Sequence, residues 1–333
     1  IHHFGSLSVH TVHRRQFITG LAATTVIPGL SPNLLARPPF VKTTHVYKSV
    51  GKLQIKLDLF QANDQATRPL AVWIHGGALI MGHRESVPDR IKTLLSVAGY
   101  AIASIDYRLA PETQLAEIIT DVEDSFRWLR KNSARLRIDS TKTAVLGGSA
   151  GGYLALTTGF RTTPPPQAIV SLWGYGDLVG DWYSRPSAHA RHHRIKLSPK
   201  DSYRQVSGPA ISDSRDREGD GDAFYQFCRR TGRWPQEVSG FNPLTMPAKF
   251  APYMPLVNVT PAYPPTLLIH GTADTDVPYN QSVLMADALE KAGVPHHLHT
   301  INKGEHGLGG GDPKQIRTAY DAIVPFLHSH ITN

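Results

Sequence analysis

The sequence predicts an α/β fold: a mostly parallel central sheet with helices on both faces and one lid-like insertion. Short apolar runs alternate along the chain with amphipathic segments of helical spacing, which is the signature of βα units. Those runs are continuous rather than alternating apolar and polar, as expected of strands buried on both faces. The glycine-rich and charged motifs fall directly after the runs, at the strand ends where open α/β sheets build their sites.

Residues 44–60 alternate, with a turn at Val50-Gly51, and read as a leading hairpin. Residues 70–74 (Leu-Ala-Val-Trp-Ile) are the first buried strand, and residues 85–98 a helix stopped by Gly99. Residues 100–105 follow as a strand. Residues 115–131 are an amphipathic helix carrying Ile118, Val122, Phe126 and Leu129 on one face. Residues 143–146 are a strand and 149–160 a helix of small residues. Strands at 168–172 and 266–269, a helix at 278–291, a strand at 296–301 and a last helix at 313–328 complete the series. Between them, residues 174–263 break the rhythm. They are polar and rich in Arg, Asp, Ser and Pro, and a structureless loop of that length is improbable in a folded domain. They read as an insertion over one end of the sheet, with a helix near residues 222–230. Trp182, Tyr183, Tyr203, Phe224, Tyr225 and Trp234 read as its own small core, or alternatively as a substrate pocket.

Composition excludes several classes. With 333 residues, 41% of them hydrophobic, the chain can bury a large core. The single cysteine, Cys228, forms neither an internal disulfide nor a thiolate zinc site, and it reads as packing. No apolar run is long enough for a transmembrane helix. The net charge of +8 does not mark a nucleic-acid binder. Residues 1–36 hold Arg14 and Arg15 and no acid, so the remainder carries +6, without a basic run or a basic helix. That first segment, with Arg14-Arg15-Gln16-Phe17-Ile18 before a short apolar stretch, reads as an export signal of the twin-arginine type, placing the protein in the periplasm or outside the cell; the alternative is a plain basic tail on a cytoplasmic protein. Residues 37–333 are the expected catalytic domain.

Four motifs carry chemistry. Gly147-Gly148-Ser149-Ala150-Gly151-Gly152 lies between a strand and a helix. A nucleophilic serine needs that tight turn to lift its hydroxyl above the sheet, and small neighbours permit the backbone. No Lys-Ser/Thr pair follows, so a phosphate loop is disfavoured. His75-Gly76-Gly77-Ala78 follows residues 70–74; the Gly76 and Gly77 amides, with that of Ala150, are candidate oxyanion donors. His75 itself reads as ordering that loop. Asp274, in His270-Gly271-Thr272-Ala273-Asp274, and His306, in Gly304-Glu305-His306-Gly307, follow two further strands. The order Ser149, Asp274, His306 suits a relay in which His306 is the base and Asp274 orients it. Asp276 is the rival acid. Glu305 reads as a loop hydrogen-bonding residue, and His189, His192 and His193 as solvated surface. His296, His297 and His299 point to opposite sides of a strand, which argues against one metal site. Neither metal nor organic cofactor is expected.

With these motifs the chain resembles the α/β-hydrolase superfamily from about residue 44 to the C-terminus, most closely the bacterial esterases and lipases of the hormone-sensitive-lipase-like and feruloyl-esterase-like groups. The segment Asp106-Tyr107-Arg108-Leu109-Ala110-Pro111-Glu112 supports this. The resemblance implies that it ties its loop to the oxyanion region, and that Asp177 lies near the pocket mouth. It implies a serine hydrolase cleaving small acyl or carbohydrate-linked esters through an acyl-enzyme. A prolyl-oligopeptidase-like peptidase shares the order of the triad, and an inactive binding protein can share the fold.

Overall fold

The computed structural model describes residues 40–194 and 198–331. The expected export signal at 1–36 lies outside the described residues. Pro38–Asn333 is one unit, built on an eight-stranded sheet in the order β1-β2-β4-β3-β5-β6-β7-β8. The strands are β1 (Phe40–Val50), β2 (Leu53–Ala62), β3 (Arg68–Ile74), β4 (Ala101–Ile105), β5 (Ile138–Gly148), β6 (Ala168–Leu172), β7 (Thr266–Gly271) and β8 (His296–Ile301). The leading hairpin turns at Gly51, whose φ of 57° suits glycine. It pairs antiparallel with the sheet through β2 and β4, and every later pairing is parallel.

The helices are α1 (Asp89–Val97), α2 (Leu115–Lys131), α3 (Ser133–Leu136), α4 (Ala150–Arg161), α5 (Asp181–Ser184), α6 (Pro199–Arg204), α7 (Asp222–Thr231), α8 (Trp234–Ser239), α9 (Pro255–Asn258), α10 (Asn280–Lys291), α11 (Pro313–Asp321) and α12 (Ile323–Ile331). Two expected helices are shorter than their sequence pattern. Pro88 precedes α1, separating it from a 3₁₀ turn at Arg84–Ser86, because the residue before a proline is driven out of the helical region. The last helix divides at Ala322 into α11 and α12.

Period-2 alternation along β3 sorts the core into two layers. Leu70, Val72 and Ile74 join α2, α4 and α10 on one face. Ala71 and Trp73 join α1, α11 and α12 on the other. The segment between β6 and β7 corrects one expectation. Its aromatics Tyr183, Phe224, Tyr225, Phe227, Trp234 and Phe250 are continuous with the first layer and do not form a core of their own. Tyr183 stacks on Trp234 at 3.9 Å, and Tyr175 stacks on Tyr153 of α4 at 5.0 Å.

Candidate active site

Ser149 sits between β5 and α4 with φ 57° and ψ −125°, a conformation that costs on the order of 1–3 kcal/mol and needs tight surroundings to persist. The surroundings are glycine. A Cβ on Gly151 would stand 2.1 Å from the Ile74 carbonyl oxygen, and one on Gly147 would stand 2.2 Å from the Gly151 carbonyl oxygen. The Ser149 amide donates to the Leu172 carbonyl at 2.9 Å, and its own carbonyl accepts from Tyr153 at 3.0 Å, opening α4.

The loops after β7 and β8 bring Asp274 and His306 to the same edge. His306 Nε2 lies 3.1 Å from Ser149 Oγ, and its Nδ1 lies 2.8 Å from Asp274 Oδ2. An ionised carboxylate only accepts, so Nδ1 carries the proton and Nε2 is free to accept from Ser149. Asp274 Oδ1 accepts from the Asp276 and Val277 amides, both at 2.9 Å, and buried His270 donates to Oδ2 from 3.2 Å. Burial pushes the Asp274 carboxyl up, but the bonds from His270 and His306 outweigh it and hold the pKa down to about 2. Glu305 joins the two loops, accepting from the His306 amide at 2.6 Å and the Thr275 amide at 2.7 Å.

Asp276 is differently engaged. Its Oδ1 accepts from His192 Nε2 at 2.9 Å, Tyr225 hydroxyl at 2.5 Å and Arg229 at 2.9 Å, while its Oδ2 stands 3.8 Å from His306 Nε2. His192 is therefore buried, not solvated surface as its polar neighbourhood suggests. Its burial lowers its pKa, so the neutral ring donates to Asp276 and accepts from Ser187 at 2.8 Å. His189 is exposed as expected. His193 is half-buried and bonds the Ser187 carbonyl at 2.7 Å.

Gly76 runs against the serine turn: a Cβ there would meet the Gly148 carbonyl oxygen at 2.7 Å and Ser149 Cβ at 3.3 Å. Gly77, at φ 101°, accepts at its carbonyl from the Ile80 and Met81 amides in a tight turn. Ala150 is the first residue of α4. His75 stacks on Tyr107 at 4.2 Å and bonds the Gly76 carbonyl at 2.8 Å. Burial lowers its pKa to about 4, so the ring is neutral at pH 7.

Asp106 pairs with Arg84 at 2.8 Å and Arg108 with Asp121 of α2 at 2.7 Å, while Tyr107 of the same segment donates from its hydroxyl to the His75 carbonyl at 2.9 Å and the Ala110 amide to the Leu79 carbonyl at 2.8 Å, which ties the segment to the loop of Gly76 and Gly77. Glu112 meets that loop indirectly, through buried Arg217, which also donates to the Ile80 and Ala110 carbonyls. Trp234 Nε1 donates to the Ala78 carbonyl at 2.9 Å, and Ser214 Oγ accepts from the Gly82 amide at 3.1 Å. Arg191 reaches Glu305 at 2.8 Å. Arg217, Trp234, Ser214 and Arg191 have no local sequence signal, since each meets its target across 105 residues or more. Asp177 caps its own turn through the Val179 and Gly180 amides at 2.9 and 3.1 Å. Trp173 presents its ring edge-on to His306 with centroids 6.4 Å apart. Cys228 is buried in α7, and burial pushes its thiol pKa up. Among the described residues no group of three His, Cys, Asp or Glu side chains is arranged to hold a metal ion.

Comparison with known proteins agrees with this architecture. A family model described as BD-FAE matches residues 57–165, and that of the prolyl oligopeptidase family matches residues 206–333. Curated relatives include the non-reducing polyketide synthases Preu3 of Preussia isomera and ausA of Aspergillus calidoustus. They are 26% and 27% identical over 86% and 92% of this chain, but over only 13% and 15% of their own lengths. The chain thus spans less than a sixth of those relatives. Similar solved structures include a protein of unknown function from Staphylococcus aureus subsp. aureus Mu50 (TM-score 0.69, 22% identity, 87% of this chain and 99% of that one). Another is a truncated carbohydrate esterase from gut microbiota (TM-score 0.64, 21% identity, 89% and 100%). A third is the propionate-bound esterase Est2 of Thermogutta terrifontis (TM-score 0.61, 21% identity, 86% and 94%). Its sheet order and these solved structures show that the chain has the α/β-hydrolase fold, and the two family models match separate parts of it.

Proposed function

We propose that the chain hydrolyses carboxylic esters by acyl transfer from Ser149. The observation that carries the reading is the continuous hydrogen-bonded series Ser149 Oγ, His306, Asp274 at the carboxyl edge of the sheet. Ser149 attacks the ester carbonyl while His306 Nε2 takes its proton. Asp274 holds the imidazole in the required tautomer and stabilises the imidazolium. The Gly76, Gly77 and Ala150 amides receive the oxyanion; each such donor is typically worth about 3 kcal/mol in the transition state. His306 then returns the proton to the departing alcohol, and water repeats the sequence on the acyl-enzyme. This route calls on no metal or organic cofactor. The Thermogutta esterase was solved with propionate and with butyrate, which supports short acyl groups as first substrates. The paired arginines Arg14 and Arg15 support export of this enzyme through residues 1–36.

Ser149→Ala tests the reading: kcat on 4-nitrophenyl acetate is expected to fall about 10⁴-fold or more. A wild-type rate would refute it. The match of residues 206–333 to the prolyl oligopeptidase family favours a second reading, a peptidase using the same relay. Cleavage of aminoacyl-naphthylamides at rates above those of matched esters would establish it.

A further inference from the structure

The Asp276 carboxylate is used from one side only. Oδ1 accepts three donors, from His192, Tyr225 and Arg229. Arg229 also donates to the Asp276 carbonyl at 2.9 Å and to the Tyr225 hydroxyl at 2.9 Å, which fixes the rotation of the carboxylate. Oδ2 receives no hydrogen bond from the described residues. It stands 3.8 Å from His306 Nε2, the atom that faces Ser149 Oγ. The side chain is 11% exposed, against 0% for Asp274. Oδ2 is thus open toward the site, and a donor on a bound substrate can take the place of water there.

The position of Oδ2 says which part of a substrate can do so. In acyl transfer the departing oxygen must come within about 3 Å of Nε2 to receive its proton. The alcohol portion of the ester therefore lies beside Nε2, on the side that Asp276 Oδ2 borders. A hydroxyl on the carbon next to the ester-bearing carbon lies one hydrogen-bond length from the departing oxygen, within reach of Oδ2. An ether oxygen at the same place cannot donate and would face a carboxylate lone pair.

Resting on the esterase reading, we propose that Asp276 is a specificity-determining residue, and that the site selects esters of vicinal diols, polyols and sugars by accepting a hydrogen bond from the neighbouring hydroxyl of the alcohol. Arg229, Tyr225 and His192 are its positioning residues.

The test compares kcat/KM for 2-hydroxyethyl acetate and 2-methoxyethyl acetate, which share an acyl group and a similar leaving-group acidity. The wild-type enzyme is expected to favour the hydroxyl ester about tenfold or more, the discrimination of one hydrogen bond to a charged acceptor. In Asp276→Asn the ratio is expected to fall toward one, whatever the absolute rates. Asp276→Glu keeps the charge against Arg229 but displaces the accepting oxygen; it is expected to lower the ratio too, and serves if the Asn variant does not fold. A wild-type ratio near one overturns the proposal. So does an unchanged ratio in both variants with only a slower deacylation, which would assign Oδ2 to the incoming water. 4-Nitrophenyl acetate, whose alcohol has no such donor, separates the two levels. If the wild-type enzyme cleaves it and the ratio is one, only this inference fails; if it is not cleaved, the esterase reading fails.

Discussion

Arg217 ties the segment between β6 and β7 to the proposed oxyanion loop, and its removal has a calculable effect. Its guanidinium donates to both Glu112 carboxylate oxygens, to the Ala110 carbonyl at 2.7 Å and to the Ile80 carbonyl. Both partners are buried, with 3% and 4% of the side chains exposed. Arg217→Met keeps the length and removes every donor. Glu112 is then a buried carboxylate without its cation, and breaking a buried pair from one side typically costs about 3–5 kcal/mol. The Ile80 and Ala110 carbonyls lose their donor in the same step. Glu112→Leu alone strands the arginine at a similar cost. In the double variant neither charge remains, so its loss should fall short of the sum by about 2–3 kcal/mol, the coupling expected of residues in direct contact. Urea unfolding read at a common slope gives all four stabilities. kcat/KM on a short acyl ester should fall in the Met variant as well, because Ile80 is hydrogen-bonded to the Gly77 carbonyl within the same turn. A loss below about 1 kcal/mol in Arg217→Met, or additive losses in the double variant, would refute the idea that this pair holds the loop.

Gly151→Ala is expected to destabilise the protein by about 1–3 kcal/mol, since its Cβ would meet two backbone carbonyls, Ile74 at 2.1 Å and His75 at 2.7 Å. It should also lower kcat by about 10²-fold by displacing the serine turn, whereas Gly309→Ala, with nothing within 4 Å, should match wild type in both urea midpoint and kcat. His75 gives a pH signature. Its folded pKa of about 4 lies below the 6.5 of an unperturbed imidazole, so the unfolded chain binds the proton more tightly. Stability is intact above about pH 6.5 and falls as the pH drops toward 4, by about 3 kcal/mol from this residue. His75→Asn should lack that component, so its stability deficit relative to wild type should shrink between pH 7 and pH 4 in urea titrations. A deficit constant across that range would refute the assignment.

How much of this was legible in the sequence follows from how far apart the interacting residues lie. The serine turn is local: five residues around Ser149 carry both the strained φ and the glycines that permit it, so the motif and its strand-to-helix setting can be read together. The strands were legible because burial on both faces leaves continuous apolar runs such as Leu70 to Ile74. The break at Ala322 is marked only by Pro325, which has no N–H to give the Asp321 carbonyl, while the apolar spacing continues across it. Motif spacing favoured Asp274 over Asp276 but did not show how the second carboxylate is engaged. What separates them is that Asp276 Oδ1 is already occupied by Arg229, Tyr225 and His192, which lie 47, 51 and 84 residues upstream.

The same long-range pairs change the meaning of the insertion. A lid must open, and opening breaks whatever binds it to the site. Here Trp234 donates to Ala78, Arg217 to Ile80, Arg229 to Asp276 and Arg191 to Glu305, so three of the loops around Ser149 are bonded to the segment between β6 and β7. At roughly 1 kcal/mol net for a neutral bond and 1.5–3 kcal/mol for one to a charge, lifting that segment as a body would cost on the order of 5–10 kcal/mol before any apolar exposure is counted. That is comparable to the stability of a whole domain. Trp234 and Phe224, both fully buried in the layer shared with α4, add apolar area to the cost. On the proposed reading, substrate would therefore meet fixed walls at this edge rather than a moving cover, and selection would rest on which polar atoms those walls leave open toward Ser149.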